Sequence, residues 1–168
     1  MKVYTSSTTE TRTRAERTKV GIADYAVVTG DDTLTTSGLG SCIGVALYDS
    51  RASVAGLAHA MLPYAEGDPN EAKYADTAVP SLLAEMADRG ADPGRVRAKL
   101  AGGSTMFEFS SADGTIGERN VVAVREVLAR EGVPIVAEDV GGEHGRSLEL
   151  EATGTLHVRS AHVGKATL

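Results

Sequence analysis

The chain has 168 residues and a formal charge of -6, which favours one domain that can bury its own core without a metal or disulfide. Its single Cys excludes an intramolecular disulfide, and its scattered cations, five Tyr, two Phe and no Trp weigh against a nucleic-acid surface. The longest uncharged run, Thr33–Tyr48, is too short and too broken by Gly, Ser and Thr to span a membrane.

Residues 1–18 are rich in Thr, Arg and Glu and read as a disordered tail, which leaves 19–168 as a single domain. No apolar stretch marks a signal peptide, and this together with the lone thiol fits a cytoplasmic protein. Val20–Val28 is expected as a first strand, closed by Gly30-Asp31-Asp32, and Thr33–Thr36 as a short second one. It leads into the Gly-rich segment Ser37-Gly38-Leu39-Gly40-Ser41. Ile43–Tyr48 and Val54–Met61 read as strands apolar on both faces, as expected of a sheet buried between layers.

Pro63–Asn70 is a loop. Tyr74, Ala78, Val79, Leu82, Leu83 and Met86 recur at helical spacing, so residues 72–89 are expected to form a helix. Pro80 lacks an N–H, so the regular helix begins near Asp76 or kinks. Arg95–Ala101 and Val133–Glu138 read as strands on either side of a helix at about 117–131. Ser147–Ala152 and Thr155–Arg159 alternate in polarity around Thr153-Gly154, the pattern of a hairpin. The class is α+β, with layered, sandwich-like mixed or antiparallel sheets and flanking helices.

A lone Cys is usually a small buried hydrophobe. Cys42 differs in following a turn, Gly38-Leu39-Gly40-Ser41, at the point where that turn meets a strand. Backbone N–H groups of Gly40 and Ser41 are candidates for an oxyanion hole there. If the hairpin loop is Asp49–Ala52, Tyr48 opposes Ser53 and Cys42 falls directly opposite His59. That is within reach of a thiolate–imidazolium pair, although a lone His in an apolar strand is more often a core residue. His144, His157 and His162 lack metal-like spacing, and no set of three or four ligands indicates zinc. Gly38-x-Gly40 and Gly102-Gly103-Ser104-Thr105 lack the third Gly or the Lys of phosphate-binding loops.

Six short blocks resemble the chemoreceptor glutamine deamidase family CheD, in the same order. They are Thr36–Cys42, His59-Ala60-Met61-Leu62-Pro63, Tyr74–Ala78, Lys99–Gly103 with Met106-Phe107, Ile116–Asn120, and Asp139–Gly142 with Arg146-Ser147. The resemblance implies a role in chemotaxis: hydrolysis of Gln side chains to Glu on the cytoplasmic helices of chemoreceptors. It further implies a Cys-His-Thr triad at Cys42, His59 and Thr36, the layered fold of certain toxin deamidases, and a CheC-type phosphatase as partner. Thr35-Thr36-Ser37 offers three hydroxyls where the triad uses one.

The mechanism expected is acyl transfer through a Cys42 thioester, with no cofactor and no metal. Phe107, beside Met106, is either a partner-binding patch or core, core being the commoner fate. Arg146, with Arg119 and Asp139, is either a substrate-groove residue or part of a structural ion pair. Two rival readings stand beside the deamidase. One is a non-enzymatic adaptor that binds the phosphatase or receptors, and the other is a related Cys amidohydrolase or methylesterase.

Overall fold

The computed structural model describes residues 15–105, 114–161 and 163–168. The first five strands follow in succession: β1 (Arg17–Lys19), β2 (Asp24–Thr29), β3 (Thr33–Leu39), β4 (Ile43–Asp49) and β5 (Val54–Ala60). Helix α1 (Ala75–Asp88), strand β6 (Arg97–Gly102) and helix α2 (Ile116–Glu131) come next. Strands β7 (Ile135–Val140), β8 (Arg146–Glu151), β9 (Leu156–Ser160) and β10 (Gly164–Thr167) complete the chain.

The strands form two five-stranded sheets, an outer one in the order β1-β3-β8-β9-β10 and a central one in the order β2-β5-β4-β6-β7. Both are mixed, because β1 pairs parallel to β3 and β6 parallel to β7. The central sheet is covered on one face by the helices and on the other by the outer sheet. Ile43, Val45, Leu47 and Ala58 pack with Leu82, Met86, Val124 and Leu128 on the helix side. Ala46, Leu57 and Ala101 pack with Leu34, Leu39, Leu148 and Leu150 on the sheet side. This double burial is why β4 and β5 are apolar on both faces. The α+β class and the layered sheets agree with the sequence reading.

Two local features differ from it, while the first helix begins at Ala75, next to the expected start near Asp76. Residues 1–14 of the expected tail lie outside the described residues, whereas Arg17 and Thr18 already belong to β1, an exposed three-residue strand. The equally exposed β10 was not expected either, since Gly164–Thr167 buries nothing that would leave an alternating pattern. Helix α1 runs from Ala75 through Pro80, whose missing N–H leaves the Asp76 carbonyl without its usual i+4 partner. The second helix begins at a capping box, in which Thr115 accepts from the Glu118 N–H and the Glu118 carboxylate accepts from the Thr115 N–H.

Candidate active site

The hairpin of β4 and β5 sets the geometry. Its loop has four residues, but they are 50–53 rather than 49–52, so Asp49 pairs with Val54 and Gly44 pairs with His59. Cys42 is therefore not directly opposite His59, as the sequence reading had it. The slip arises because Asp49 is held at the strand end. Its carboxylate accepts from Arg95, from the N–H of Asp92 and, more loosely, from those of Arg51 and Ala52. Burial works against its ionisation, yet Arg95 and the backbone N–H groups outweigh it and hold the carboxyl at about 2. Ser53 closes the loop in the left-handed region, at φ 54.

Sliding a loop of fixed length by one residue moves each pairing by two, which keeps side chains on their original face. Cys42 is two residues before Gly44, so it is a diagonal neighbour of His59 on the face toward the outer sheet. The Cys42 side chain packs against the cluster between the sheets. Gly44, directly opposite His59, has no room for a side chain: a Cβ there would lie 2.5 Å from Leu148 Cδ1.

His59 is fully buried. Its Nδ1 is 2.7 Å from Thr36 Oγ1, and the Thr36 hydroxyl donates to the Val20 carbonyl at 2.8 Å. A hydroxyl has one proton, and here it is spent on Val20. Thr36 therefore accepts from His59 Nδ1–H, which leaves Nε2 as the unprotonated nitrogen of the ring. That Nε2 is buried and, among the described residues, has no hydrogen-bond partner. Burial holds the imidazole below its ordinary range. Burial likewise pushes the Cys42 thiol up, against a smaller opposing effect of its own backbone N–H. Burial therefore disfavours the charged form of both groups.

Of the three hydroxyls in Thr35-Thr36-Ser37, only Thr36 bonds to His59. Strand alternation puts Leu34 and Thr36 on the buried face of β3. Beyond Thr36 the strand bulges, since Thr36 pairs with Leu148 but Leu39 pairs with Arg146, one residue too many on β3. Gly38, at φ 74, supplies the left-handed residue of this irregularity. The bulge turns the chain out of the outer sheet and into Gly40-Ser41-Cys42, which enters the central sheet.

This loop is tied by its carbonyls. Gly40 O accepts from the Ser104 N–H and Cys42 O from the Gly103 N–H, each at 2.8 Å. Ser41 O accepts from Asn120 Nδ2, also at 2.8 Å. Among the described residues, the N–H groups of Ser41 and Cys42 have no backbone partner, whereas Gly40 N–H turns back to Gly38 O at 3.1 Å. Of the two loop residues proposed from sequence, Ser41 rather than Gly40 has an N–H to offer an oxyanion. Asn120 was quoted in a family block but given no role. Asn120 is fully buried beside Val121 and Val124 on α2.

Arg146 is buried rather than open to a substrate, with its guanidinium on Asp139 at 3.3 Å and on Gly102 O at 3.4 Å. The ion-pair alternative is the one observed. Arg119 lines a cavity of about 440 Å³ with Tyr64, Gly114, Glu118 and Val122. Met106 and Phe107 lie outside the described residues, as does His162. His157 pairs with Glu151 at 2.6 Å. No group of three or more metal-ligating side chains is found among the described residues.

The fold is a layered α+β domain in which His59 is bonded to Thr36 and Cys42 lies on the same face of the central sheet. A family model described as CheD chemotactic sensory transduction matches residues 61–160, more than half of the chain. A probable chemoreceptor glutamine deamidase CheD of Haloarcula marismortui is 53% identical over 173 residues, covering 100% of both chains. The chemoreceptor glutamine deamidase CheD of Bacillus subtilis is 44% identical over 93% of this chain and 98% of its own. The chain belongs to the CheD family. Among solved structures, a Neisseria meningitidis protein of the family DUF152 superposes with a TM-score of 0.52. That match covers 82% of this chain and 69% of the other at 15% identity, a likeness of fold alone.

Proposed function

We propose that this protein is a chemoreceptor glutamine deamidase in which Cys42 is the nucleophile, His59 the proton carrier and Thr36 the residue that orients it. Membership of the CheD family supports the reaction and its place in chemotaxis. The observation that carries the residue assignment is the relay from His59 Nδ1 through Thr36 to Val20, which leaves Nε2 as a lone-pair acceptor.

Cys42 Sγ attacks the carbonyl carbon of a Gln side chain while its proton passes to His59 Nε2. The N–H groups of Ser41 and Cys42 receive the developing oxyanion. His59 then returns the proton to the departing nitrogen, the C–N bond breaks, and ammonia leaves a thioester behind. Water gives a proton to Nε2 as it attacks this thioester, and C–S cleavage yields Glu and the thiol. A Thr hydroxyl orients the ring but cannot neutralise an imidazolium as a carboxylate does, so turnover is modest.

The test is to incubate receptor cytoplasmic fragments with the protein and map Gln-to-Glu conversion by mass spectrometry. Conversion by wild type and none by Cys42→Ala is the expected result. Equal conversion by both sinks the assignment, and methanol release in its place favours a methylesterase. The family's role in chemotaxis also motivates a cytoplasmic location and a CheC-type phosphatase as partner. Calorimetric titration of the purified pair tests the latter, and no heat of binding at micromolar concentrations would argue against it. No helix among the described residues is long and apolar enough to cross a membrane.

A further inference from the structure

Beyond Ile43 and Ala60 the ladder between β4 and β5 stops. The next residues, Cys42 and Met61, do not pair, and the Met61 N–H donates to Lys73 O at 2.8 Å. One side chain fills the gap. Asn120, fully buried on α2, donates through Nδ2 to Ser41 O at 2.8 Å and to Met61 O at 3.0 Å. The first carbonyl is one residue before Cys42 and the second is two residues after His59.

We propose that Asn120 is a positioning residue for the deamidation, a two-pronged clamp that fixes the distance between nucleophile and base where the strands part. This rests on the assignment of Cys42 and His59 as the reacting pair. A continued ladder would bring Cys42 and Met61 together backbone to backbone. Here one amide nitrogen, Asn120 Nδ2, instead bridges the two chains through a carbonyl of each.

Gly117, one turn earlier on the same helix face, is what lets so short a side chain reach. A Cβ there would lie 2.3 Å from Ser104 O and 2.6 Å from Gly103 O. The helix therefore rests directly on the backbone of the turn that holds Cys42 O and Gly40 O. Any larger residue at 117 lifts α2 and withdraws Asn120 from both carbonyls.

The test compares three variants with wild type on a receptor fragment, measuring kcat, KM and the pH dependence of kcat/KM. Asn120→Asp keeps the shape but loses both N–H donors. Gly117→Ala keeps the amide but moves the helix. Val124→Ala, buried one turn further on in the helix–sheet core, loses packing alone. The expected result is a fall of about 10- to 100-fold in kcat for the first two with KM within about twofold, the size of effect that a misplacement of about 1 Å produces. Their acid limb should also move up toward an ordinary imidazole, as the loosened site admits water. Val124→Ala should show neither effect at temperatures where it is folded.

Wild-type kcat and pH profile in folded Asn120→Asp overturn the proposal. So do equal losses in all three variants, which would mean general destabilisation. If Asn120→Asp does not fold, Gly117→Ala against Val124→Ala decides by the same readouts. Failure of the underlying assignment is read separately, as a Cys42→Ala protein that still deamidates.

Discussion

The two halves of the site are held in opposite ways. His59 sits within a strand covered on both faces, and its ring is fixed by a side-chain relay to Thr36 and Val20. Cys42 is half-buried on a loop, and its position is set through the backbone, by carbonyls bonded to Gly103, Ser104 and Asn120. As the proposed base, His59 must keep one tautomer and one ring orientation, which a bond to the ring supplies. On the proposed assignment the nucleophile must reach a carbonyl on another protein, and its position is set through its main chain.

If this division is right, losing either reacting group is the largest effect and the two losses do not add. Cys42→Ser and His59→Ala should each reduce deamidation by about 10⁴-fold or more, with the double variant no worse. Single-turnover assays on receptor fragments measure this, and additive losses would mean that the two groups act independently. Thr36→Val comes next. It strips the acceptor from Nδ1–H and the donor from Val20 O, leaving two buried polar groups unpaired at about 1–3 kcal/mol each. A fall of about 10- to 100-fold in kcat is expected as the ring loses its preferred tautomer. Thr36→Ser, which keeps the hydroxyl, should recover most of it.

Titration sharpens the comparison because burial acts on both halves with opposite sign. It holds His59 below the imidazole value of about 6.5. As pH falls through that value the unfolded chain takes up a proton that the folded one refuses, so stability declines toward acid. Burial raises the Cys42 thiol. As pH rises through about 8.5 the unfolded chain loses a proton that the folded one keeps, so stability declines toward base. A thermal-shift series from pH 5 to 10 should show a plateau between the two. His59→Gln should flatten only the acid side and Cys42→Ser only the basic side. A basic slope unchanged in Cys42→Ser would show that the thiol is solvated.

How much of this was legible in the sequence follows from what each feature leaves behind. The doubly buried strands β4 and β5 declare themselves as apolar runs, and the face shared by Cys42 and His59 follows from the four-residue loop. Which four residues form the loop does not follow, because it depends on Arg95 and the Asp92 N–H reaching Asp49 from 46 and 43 residues away. β1 and β10 leave no trace, since every residue in them is exposed. Asn120 stayed hidden for a different reason: its partners are carbonyls, which every residue possesses, so nothing in the side-chain pattern points to them.

The choice among Thr35, Thr36 and Ser37 is the finest point on which the two halves can be told apart. Thr36 is buried on the inward face of β3 with Leu34, while Thr35 and Ser37 alternate to the other face; a cavity of about 360 Å³ there is lined by all three together with Lys19, Arg159 and Lys165. Of the three hydroxyls, only that of Thr36 bonds His59. Thr35→Val and Ser37→Ala should therefore change kcat by less than about twofold, since alternation leaves them no path to the ring. Ser37 is the more searching of the two because it occupies the bulge, where alternation is broken. A loss in Ser37→Ala comparable to that of Thr36→Val would mean that the bulge, and not the Thr36 hydroxyl alone, governs how the base is held.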